Sequence, residues 1–210
     1  MKVENKTMLV YAVTDRTWLK GQTLEEQVQQ TIEGGATFIQ LREKELPYNA
    51  FLEQAVKIKR ITDNYHIPFV INDNVDIALA VNADGVHVGQ KDMEAGEVRK
   101  KLGENKIIGV SVQTVEQALL AQKQGADYLG VGAVFSTSTK LDASEVSFET
   151  LQQICNTVSI PVVAIGGINA KNLLQLKGSG IDGVAVVSAI FAQPDIIKAT
   201  KELVLLAKQL

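Results

Sequence analysis

The segment QLREK places an amide and two basic side chains at alternate positions directly after an apolar run. Gln40, Arg42 and Lys44 point the same way if the chain is extended there, because successive side chains of a strand alternate between its two faces. Two cations beside an amide suit a diphosphate. The alternative is a solvated strand end, in which Arg42 and Lys44 pair with Glu43 and Glu45.

Two carboxylates follow the next two apolar runs. Asn72 and Asp73 end the stretch FVIND, and GVHVGQKD leads to Asp92. Carboxylates that leave neighbouring strands can share one hard cation, and Mg²⁺ usually takes few carboxylates together with substrate phosphate oxygens. The alternative is that Asp73 caps the helix predicted by NVDIALAV and that Asp92 caps the helix after it.

Hydroxyl side chains accompany the fifth and sixth apolar runs. Ser111 lies in IIGVSV, and the stretch VGAVFSTSTK carries Thr137 and Thr139 before Lys140. Hydroxyl groups donate to phosphate or to a developing anion, and the lysine supplies a positive charge. The alternative is a Ser/Thr-rich turn with a solvated lysine.

Glycines and a serine follow the last two apolar runs, in AIGGI and VVSAI. Gly166 and Gly167 permit close backbone approach, and together with Ser188 they occupy the place where barrel enzymes often hold a phosphate. A tight turn explains the glycines equally well. The whole pattern predicts two anion-binding regions with a metal-like pair between them, which suggests an enzyme that joins or splits two phosphorylated small molecules.

The elements that position these residues alternate between strands and helices. Strict alternation implies right-handed parallel crossovers, and eight units predict a single-domain (β/α)8 TIM barrel over residues 1–210, with its active site at the C-terminal ends of the strands. An open doubly wound sheet is the structural alternative, although no GxGxxG fingerprint follows the first strand. The eight apolar runs, rich in β-branched residues, cover residues 8–13, 37–41, 69–71, 85–88, 107–112, 128–134, 162–165 and 183–187.

Local signals support the helices between these strands. Thr23 with Glu26 has the form of a capping box, and so has Thr114 with Gln117. Glycine often closes a helix just before the next strand, as in GGATF, QGADY and SGIDG.

The composition is that of an ordinary soluble domain, with 46% hydrophobic residues and a net charge of −3. This balance gives no reason to expect nucleic acid or a membrane as a partner. One cysteine, Cys155, cannot form an internal disulfide, which favours a reducing compartment. No apolar run has transmembrane length and no convincing signal peptide is present, so we expect a cytoplasmic protein.

These residues resemble the thiamine-phosphate synthase family along nearly the whole chain. The motifs that carry the resemblance are YAVTD, GGATFIQLREK, FVINDNVDIALAVNADGVHVGQKD, IIGVSVQT, GADYLGVGAVFSTSTK, PVVAIGGI and DGVAVVSAI, in the family's order. The resemblance implies a (β/α)8 barrel that joins hydroxymethylpyrimidine diphosphate to hydroxyethylthiazole phosphate, or its carboxylated form. Thiamine phosphate and pyrophosphate are formed through a pyrimidine carbocation, and one Mg²⁺ per active site is required.

The resemblance also implies roles for individual residues. Arg42, Lys44, Ser111 and Lys140 would be catalytic, and Asp73 and Asp92 would ligate Mg²⁺. The pyrimidine diphosphate would contact Gln40, Leu41, Arg42, Glu43, Lys44, Asn72, Ser111 and Lys140. The thiazole phosphate would contact Thr137, Ser138, Thr139, Gly167, Val187 and Ser188.

Rival functions remain open at this point. A thiazole tautomerase, by resemblance, would lack the full LREK set and the second aspartate, whereas Arg42, Lys44 and Asp92 are present. A non-catalytic binder of thiamine precursors would have lost the metal and leaving-group residues. A sugar-phosphate epimerase or isomerase would need an acid/base pair, and His87, the one histidine within a predicted strand, is expected to be a hydrogen-bonded interior residue.

Overall fold

Eight parallel strands form a closed barrel in the computed structural model, which describes residues 5–136 and 145–210. Each strand pairs with the next along the chain, and β1 closes the barrel against β8. The predicted TIM barrel is therefore confirmed, and the open doubly wound sheet is wrong. The strands are β1 Val10–Val13, β2 Phe38–Leu41, β3 Phe69–Asn72, β4 Gly85–Val88, β5 Ile107–Val112, β6 Tyr128–Val131, β7 Val162–Ile165 and β8 Gly183–Val186.

Helices surround the barrel in the connections between strands. The predicted alternation has one exception in the described residues, because β7 and β8 are joined through a 3₁₀ turn, Leu173–Leu176, instead of an α-helix. No helix in residues 5–136 and 145–210 has both the length and the hydrophobicity to cross a membrane. The α-helices are α1 Leu24–Glu33, α2 Tyr48–Tyr65, α3 Val75–Ala80, α4 Ala95–Leu102, α5 Val115–Lys123, α6 Phe148–Thr157, α7 Ser188–Phe191 and α8 Ile196–Ala207.

The predicted helix caps are present, one complete and one in part. The Thr23 side chain accepts from the Glu26 amide while the Glu26 carboxylate accepts from the Thr23 amide, which makes a full capping box at α1. Thr114 likewise accepts from the Gln117 amide, but the Gln117 side chain accepts from the Gln113 amide at 2.8 Å. The second cap is therefore not a full capping box, because the Gln117 side chain bonds the amide of Gln113 instead of the amide of Thr114.

Two strand predictions extend too far at the C-terminal end, the sixth by three residues and the eighth, which ends at Val186, by one. The sixth run was predicted to reach residue 134, whereas β6 ends at Val131, and the chain then bonds from Val134 N to Ile165 O at 2.9 Å. The second run ends at Leu41 as predicted, so Arg42 and Lys44 lie beyond the strand. Gln40 therefore lies within the strand, where side chains alternate between the two faces. The side-chain directions of Arg42 and Lys44 do not follow from that alternation.

Hydrophobic side chains fill the barrel interior and the layer between strands and helices. Tyr11, Phe38 and Tyr128 form an aromatic cluster inside the barrel, with ring centroids 4.6 Å apart for Tyr11 and Phe38 and 5.6 Å apart for Phe38 and Tyr128. Each of the three rings is fully buried. The interior is therefore a packed core with two phenol groups inside it.

Candidate active site

Arg42 lies at the C-terminal end of β2 and faces the end of β1. Its backbone N–H donates to Thr14 Oγ1 at 3.0 Å, and its guanidinium lies 3.9 Å from Asp15 Oδ2. Asp15 also accepts from the Thr17 amide and so caps the short 3₁₀ turn Arg16–Trp18. The first two strand ends are thus tied together around Arg42.

Glu43 is engaged with a basic residue from the same neighbouring strand end. Arg16 Nε donates to Glu43 Oε1 at 2.8 Å, and the Arg16 guanidinium also donates to Gln54 Oε1. Burial raises the pKa of the Glu43 carboxyl, and Arg16 opposes that rise. Because the Glu43 side chain is only 4% exposed, its backbone is the part best placed for a ligand.

Lys44 meets a carboxylate of the next strand end. Its Nζ lies 2.5 Å from Asp73 Oδ2, and its side chain is 52% exposed. The alternative that Arg42 and Lys44 pair with Glu43 and Glu45 is therefore wrong, since their ion pairs are to Asp15 and Asp73.

Asp73 is turned out of the strand by its own backbone. It has a φ of 61°, in the left-handed region, directly after the last residue of β3. The cap of α3 is Asn74, whose Oδ1 accepts from Ile77 N at 2.9 Å. The alternative role of Asp73 as a helix cap is wrong, and its carboxylate instead pairs with Lys44.

Asp92 lies beside Asp73 and is also not a helix cap. Its Oδ2 accepts from Gly89 N at 2.8 Å, and Glu94, not Asp92, precedes α4. Burial raises the pKa of the Asp92 carboxyl, and the hydrogen bond and like charge of Asp73 raise it further, against the Gly89 amide and Lys44. Two carboxylates that repel each other in this way are a candidate site for a cation.

Among the residues that the structure describes, no third metal-binding side chain joins Asp73 and Asp92. Within residues 5–136 and 145–210, no group of three or more His, Cys, Asp or Glu side chains is placed to hold a metal ion. A cation between Asp73 and Asp92 would leave coordination positions for water or for oxygens of a bound substrate.

A chain of hydrogen bonds crosses the barrel interior between two predicted site residues. It begins at Gln40, whose Nε2 donates to Tyr11 Oη at 2.5 Å. Tyr11 Oη lies 2.7 Å from Tyr128 Oη, which lies 2.9 Å from His87 Nδ1. His87 Nε2 lies 2.8 Å from Ser111 Oγ. His87 is 7% exposed, which confirms it as a hydrogen-bonded interior residue.

The opposite side of the rim contains a cavity of about 330 Å³ at the ends of β7 and β8. Gly167 has a φ of 66°, and an added Cβ would lie 2.4 Å from Ser136 O, so only glycine fits beneath that segment. Val187 immediately precedes α7, which begins at Ser188. The cavity is lined by Ser136, Gly167, Ile168, Asn169, Ser188, Ala189, Ala192 and Gln193.

The predicted residues therefore fall into two groups on one face. Gln40, Arg42, Lys44, Asn72 and Ser111 come from the ends of β2, β3 and β5, and Gly167, Val187 and Ser188 from the ends of β7 and β8. Thr137, Ser138, Thr139 and Lys140 lie outside the residues that the structure describes.

Sequence reasoning missed the contribution of the first strand. Asp15 and Arg16 follow β1 in the stretch YAVTDR, and they pair with Arg42 and Glu43. The sequence carries the signal, because the polar residues TDR follow the first apolar run just as polar residues follow the other runs. Tyr128 carried no such signal, because it stands at the beginning of a run.

Comparison with known proteins decides the family. The chain matches the family model described as thiamine monophosphate synthase over residues 10–190. It belongs to the thiamine monophosphate synthase family. Membership makes it an enzyme of the transferase class with a role in thiamine biosynthesis, and the tautomerase and non-catalytic alternatives are not favoured.

Individual members of the thiamine monophosphate synthase family match over almost their whole length. The chain is 58% identical over 194 residues to the thiamine-phosphate synthase of Ruminiclostridium cellulolyticum, covering 92% of each chain. It is 55% identical to that of Clostridium tetani, covering 97% of each. The solved structure of thiamine phosphate pyrophosphorylase from Pyrococcus furiosus is 42% identical, with a TM-score of 0.90 and 97% of each chain covered.

Proposed function

We propose that this protein condenses hydroxymethylpyrimidine diphosphate with hydroxyethylthiazole phosphate to give thiamine phosphate and pyrophosphate. With the carboxylated form of the thiazole, the carboxyl group would also leave as CO₂. The observation that carries the proposal is the division of one rim into a cationic side after β2, where Arg42 and Lys44 lie, and a glycine- and serine-lined cavity at β7 and β8. The two sides suit a diphosphate and a monophosphate, respectively. Residues 1–210 act as one domain in this proposal.

The cationic side binds the pyrimidine diphosphate. Arg42 offers a planar guanidinium for two phosphate oxygens, and Lys44 offers a compact charge. Both are partly exposed at the rim. The remaining contacts come from Gln40, Leu41, Glu43, Asn72, Ser111 and Lys140, with Leu41 and Glu43 contributing backbone groups.

Asp73 and Asp92 fit the proposed Mg²⁺ by the chemistry of their donor set. Among the described residues, the pair has no third protein ligand. Mg²⁺ is usually bound by one or two carboxylates together with waters and substrate phosphate oxygens, which this arrangement matches. The ion would supply positive charge for the diphosphate oxygens. Burial raises the Asp92 pKa and repulsion from Asp73 adds to the rise. A cation held between the two carboxylates would relieve that repulsion.

The cavity side binds the thiazole phosphate. Gly167 has no side chain at a position where a Cβ would clash with Ser136 O, and Ser188 lines the same cavity. Val187, Thr137, Ser138 and Thr139 complete the proposed contacts. Small residues and hydroxyls leave room for a phosphate and can donate hydrogen bonds to it.

The reaction needs no nucleophile from the protein. The C–O bond between the pyrimidine methylene and the diphosphate breaks, and its electron pair leaves with pyrophosphate. The thiazole nitrogen then donates its lone pair to the methylene carbocation, which forms the new C–N bond. Arg42, Lys44, Ser111 and Lys140 stabilise the charge that grows on the leaving oxygens, and losing one such donor typically costs about 2.7–4 kcal/mol of barrier.

The test is pyrophosphate release and thiamine phosphate formation from the two substrates, with and without Mg²⁺. We expect both products in equal amounts only when both substrates and the metal ion are present. Omitting each substrate in turn is the control for simple hydrolysis. Pyrophosphate release that does not require the thiazole would contradict the synthase reaction. A cytoplasmic location without nucleic-acid or membrane partners is part of the proposal. The net charge of −3 argues against nucleic acid and anionic membranes as partners, and the single cysteine favours a reducing compartment.

A further inference from the structure

The polar chain inside the barrel contains two phenols that the proposed reaction does not use. Tyr11 and Tyr128 are fully buried, and burial raises the pKa of both well above the ordinary value. Both phenols therefore keep their protons at neutral pH. Each then has one proton to donate, and the direction of that donation determines the state of His87.

The strands are built to bring His87 and Tyr128 together. In the register of the barrel, Gly109 pairs with His87 on one side and with Tyr128 on the other. A Cβ at Gly109 would lie 2.1 Å from Tyr128 Cζ and 2.5 Å from His87 Nδ1. A Cβ at Gly130 would lie 3.2 Å from His87 Cε1. The contact between the imidazole and the phenol thus depends on the absence of a side chain between them.

The donor at one end of this chain of hydrogen bonds sets the direction in which the other groups donate. Gln40 Nε2 donates to Tyr11 Oη, so the Tyr11 proton goes to its other partner, Tyr128. Tyr128 then donates to His87 Nδ1, which must be unprotonated. With the proton on Nε2, the neutral ring donates to Ser111 Oγ.

The opposite direction leaves a proton without an acceptor. If Ser111 donated to His87 and Tyr128 donated to Tyr11, the Tyr11 oxygen would accept two hydrogen bonds. Its own proton would then have no partner among the residues that the structure describes. A buried donor without an acceptor is costly, and this favours the first direction.

We propose that Tyr128 and His87 are positioning residues for Ser111. Tyr128 holds the His87 imidazole as its Nε2–H tautomer. Ser111 Oγ then accepts from the ring and keeps its own proton for an oxygen of the diphosphate. The proposal rests on the proposed function, since it assumes that Ser111 faces the departing diphosphate. It extends the site to a phenol buried inside the barrel, one strand away from Ser111.

The tautomer can be measured without any substrate. In the wild-type protein labelled with ¹⁵N-histidine, we expect the spectrum of His87 to show a protonated Nε2 and an unprotonated Nδ1 at neutral pH. Tyr128→Phe should remove this preference, because Nδ1 loses its donor. An Nδ1–H tautomer in the wild-type protein, as a reversed Gln40 amide would produce, overturns the proposal whatever the enzyme's activity.

A double-mutant cycle tests whether Tyr128 acts through Ser111. Tyr128→Phe should slow single-turnover pyrophosphate release by about tenfold and leave the KM for the thiazole phosphate unchanged. In the Ser111→Ala background it should have little further effect, within about twofold, because the group that it positions is gone. Multiplicative effects of the two substitutions would overturn the positioning role. Tyr65→Phe, which alters an exposed phenol bonded to Glu33, is the matched control and should retain the wild-type rate.

A second pair of variants covers the case in which Tyr128→Phe does not fold. His87→Gln keeps an amide N–H that can reach Ser111, whereas His87→Leu has similar bulk and no donor. The Gln variant should retain a clearly higher rate than the Leu variant, and equal rates would contradict the proposal. An inactive wild-type protein would refute the proposed function alone, since the histidine spectrum would still decide the tautomer.

Discussion

The Lys44 ammonium lies 2.5 Å from Asp73 Oδ2, although the two residues are 29 positions apart in the chain. Lys44 is a proposed ligand of the diphosphate and Asp73 a proposed ligand of Mg²⁺, and in this ion pair their charges compensate each other. The pair connects the second strand end to the third. On binding of the metal diphosphate, Lys44 would pair with the diphosphate and Asp73 with Mg²⁺. Both charges would therefore stay compensated.

Substitution of Asp92 tests the metal site more directly than substitution of Asp73, which also pairs with Lys44. Asp92→Asn should raise the Mg²⁺ concentration needed for half-maximal rate and lower turnover at limiting Mg²⁺ by at least about tenfold, equivalent to about 1.4 kcal/mol. Thermal stability should not fall, because the substitution removes a repulsion with Asp73. The measurement is a Mg²⁺ titration of pyrophosphate release, paired with a thermal melt.

The matched control for the metal site is Asp76→Asn, which neutralises an exposed carboxylate in the first turn of α3. It should leave the Mg²⁺ titration unchanged. Full turnover of Asp92→Asn at limiting Mg²⁺ would show that the carboxylate pair does not hold the ion.

Substitutions of Arg42 and Ser188 should each affect the kinetics of a different substrate. Arg42→Met should raise the KM for the pyrimidine diphosphate and lower kcat, since a bidentate contact and a charge are lost. Ser188→Ala should act mainly on the KM for the thiazole phosphate, because Ser188 lines the cavity at the other side of the rim. Steady-state kinetics with each substrate varied in turn provides the check, and equal effects of both variants on both substrates would rule out the division.

Lys140, at the end of VGAVFSTSTK, lies outside the described residues, and its role is a prediction from the sequence. Lys140→Ala should reduce single-turnover pyrophosphate release by at least about tenfold at saturating substrates, or about 1.4 kcal/mol of barrier. Lys140→Gln should be nearly as slow, because it retains a donor but loses the charge. A thermal melt should shift little, within the range of about 0.5 kcal/mol usual for surface positions. Wild-type rates in both variants would show that this lysine is simply solvated.

Gly109→Ala should disturb both stability and rate. The added methyl would lie 2.1 Å from Tyr128 Cζ, and overpacking of this kind typically costs about 1–3 kcal/mol. Because the methyl displaces Tyr128 from His87, the rate should fall as well. Denaturant unfolding and single-turnover kinetics measure the two effects.

Gly96→Ala is the matched control for Gly109→Ala. An added Cβ there would come no closer than 3.8 Å to Gln124, and alanine is better than glycine in a helix by about 0.5–1 kcal/mol. We therefore expect unchanged activity and equal or higher stability. If Gly109→Ala behaved in the same way, the barrel interior would be less tightly packed than the distances indicate.

The sequence by itself was sufficient for the local features of this protein. The apolar runs located all eight strands, with errors of up to three residues at their ends, and the Thr23 capping box began α1 as predicted. It also placed the candidate site, because the C-terminal ends of parallel strands share one face whatever their exact partners. These features depend on residues that are near each other in the chain.

Only the tertiary structure decided which side chains meet. Asp73 and Asp92 were each as readily explained as helix caps, until Asn74 was found to cap α3 and Glu94 to precede α4. The partners of Lys44 and Ser111 depend on strand register and on closure of β1 against β8. A shift of one residue would turn every side chain of a strand to its other face. Such contacts join residues far apart in the chain, and no local pattern of charge or hydrophobicity specifies them.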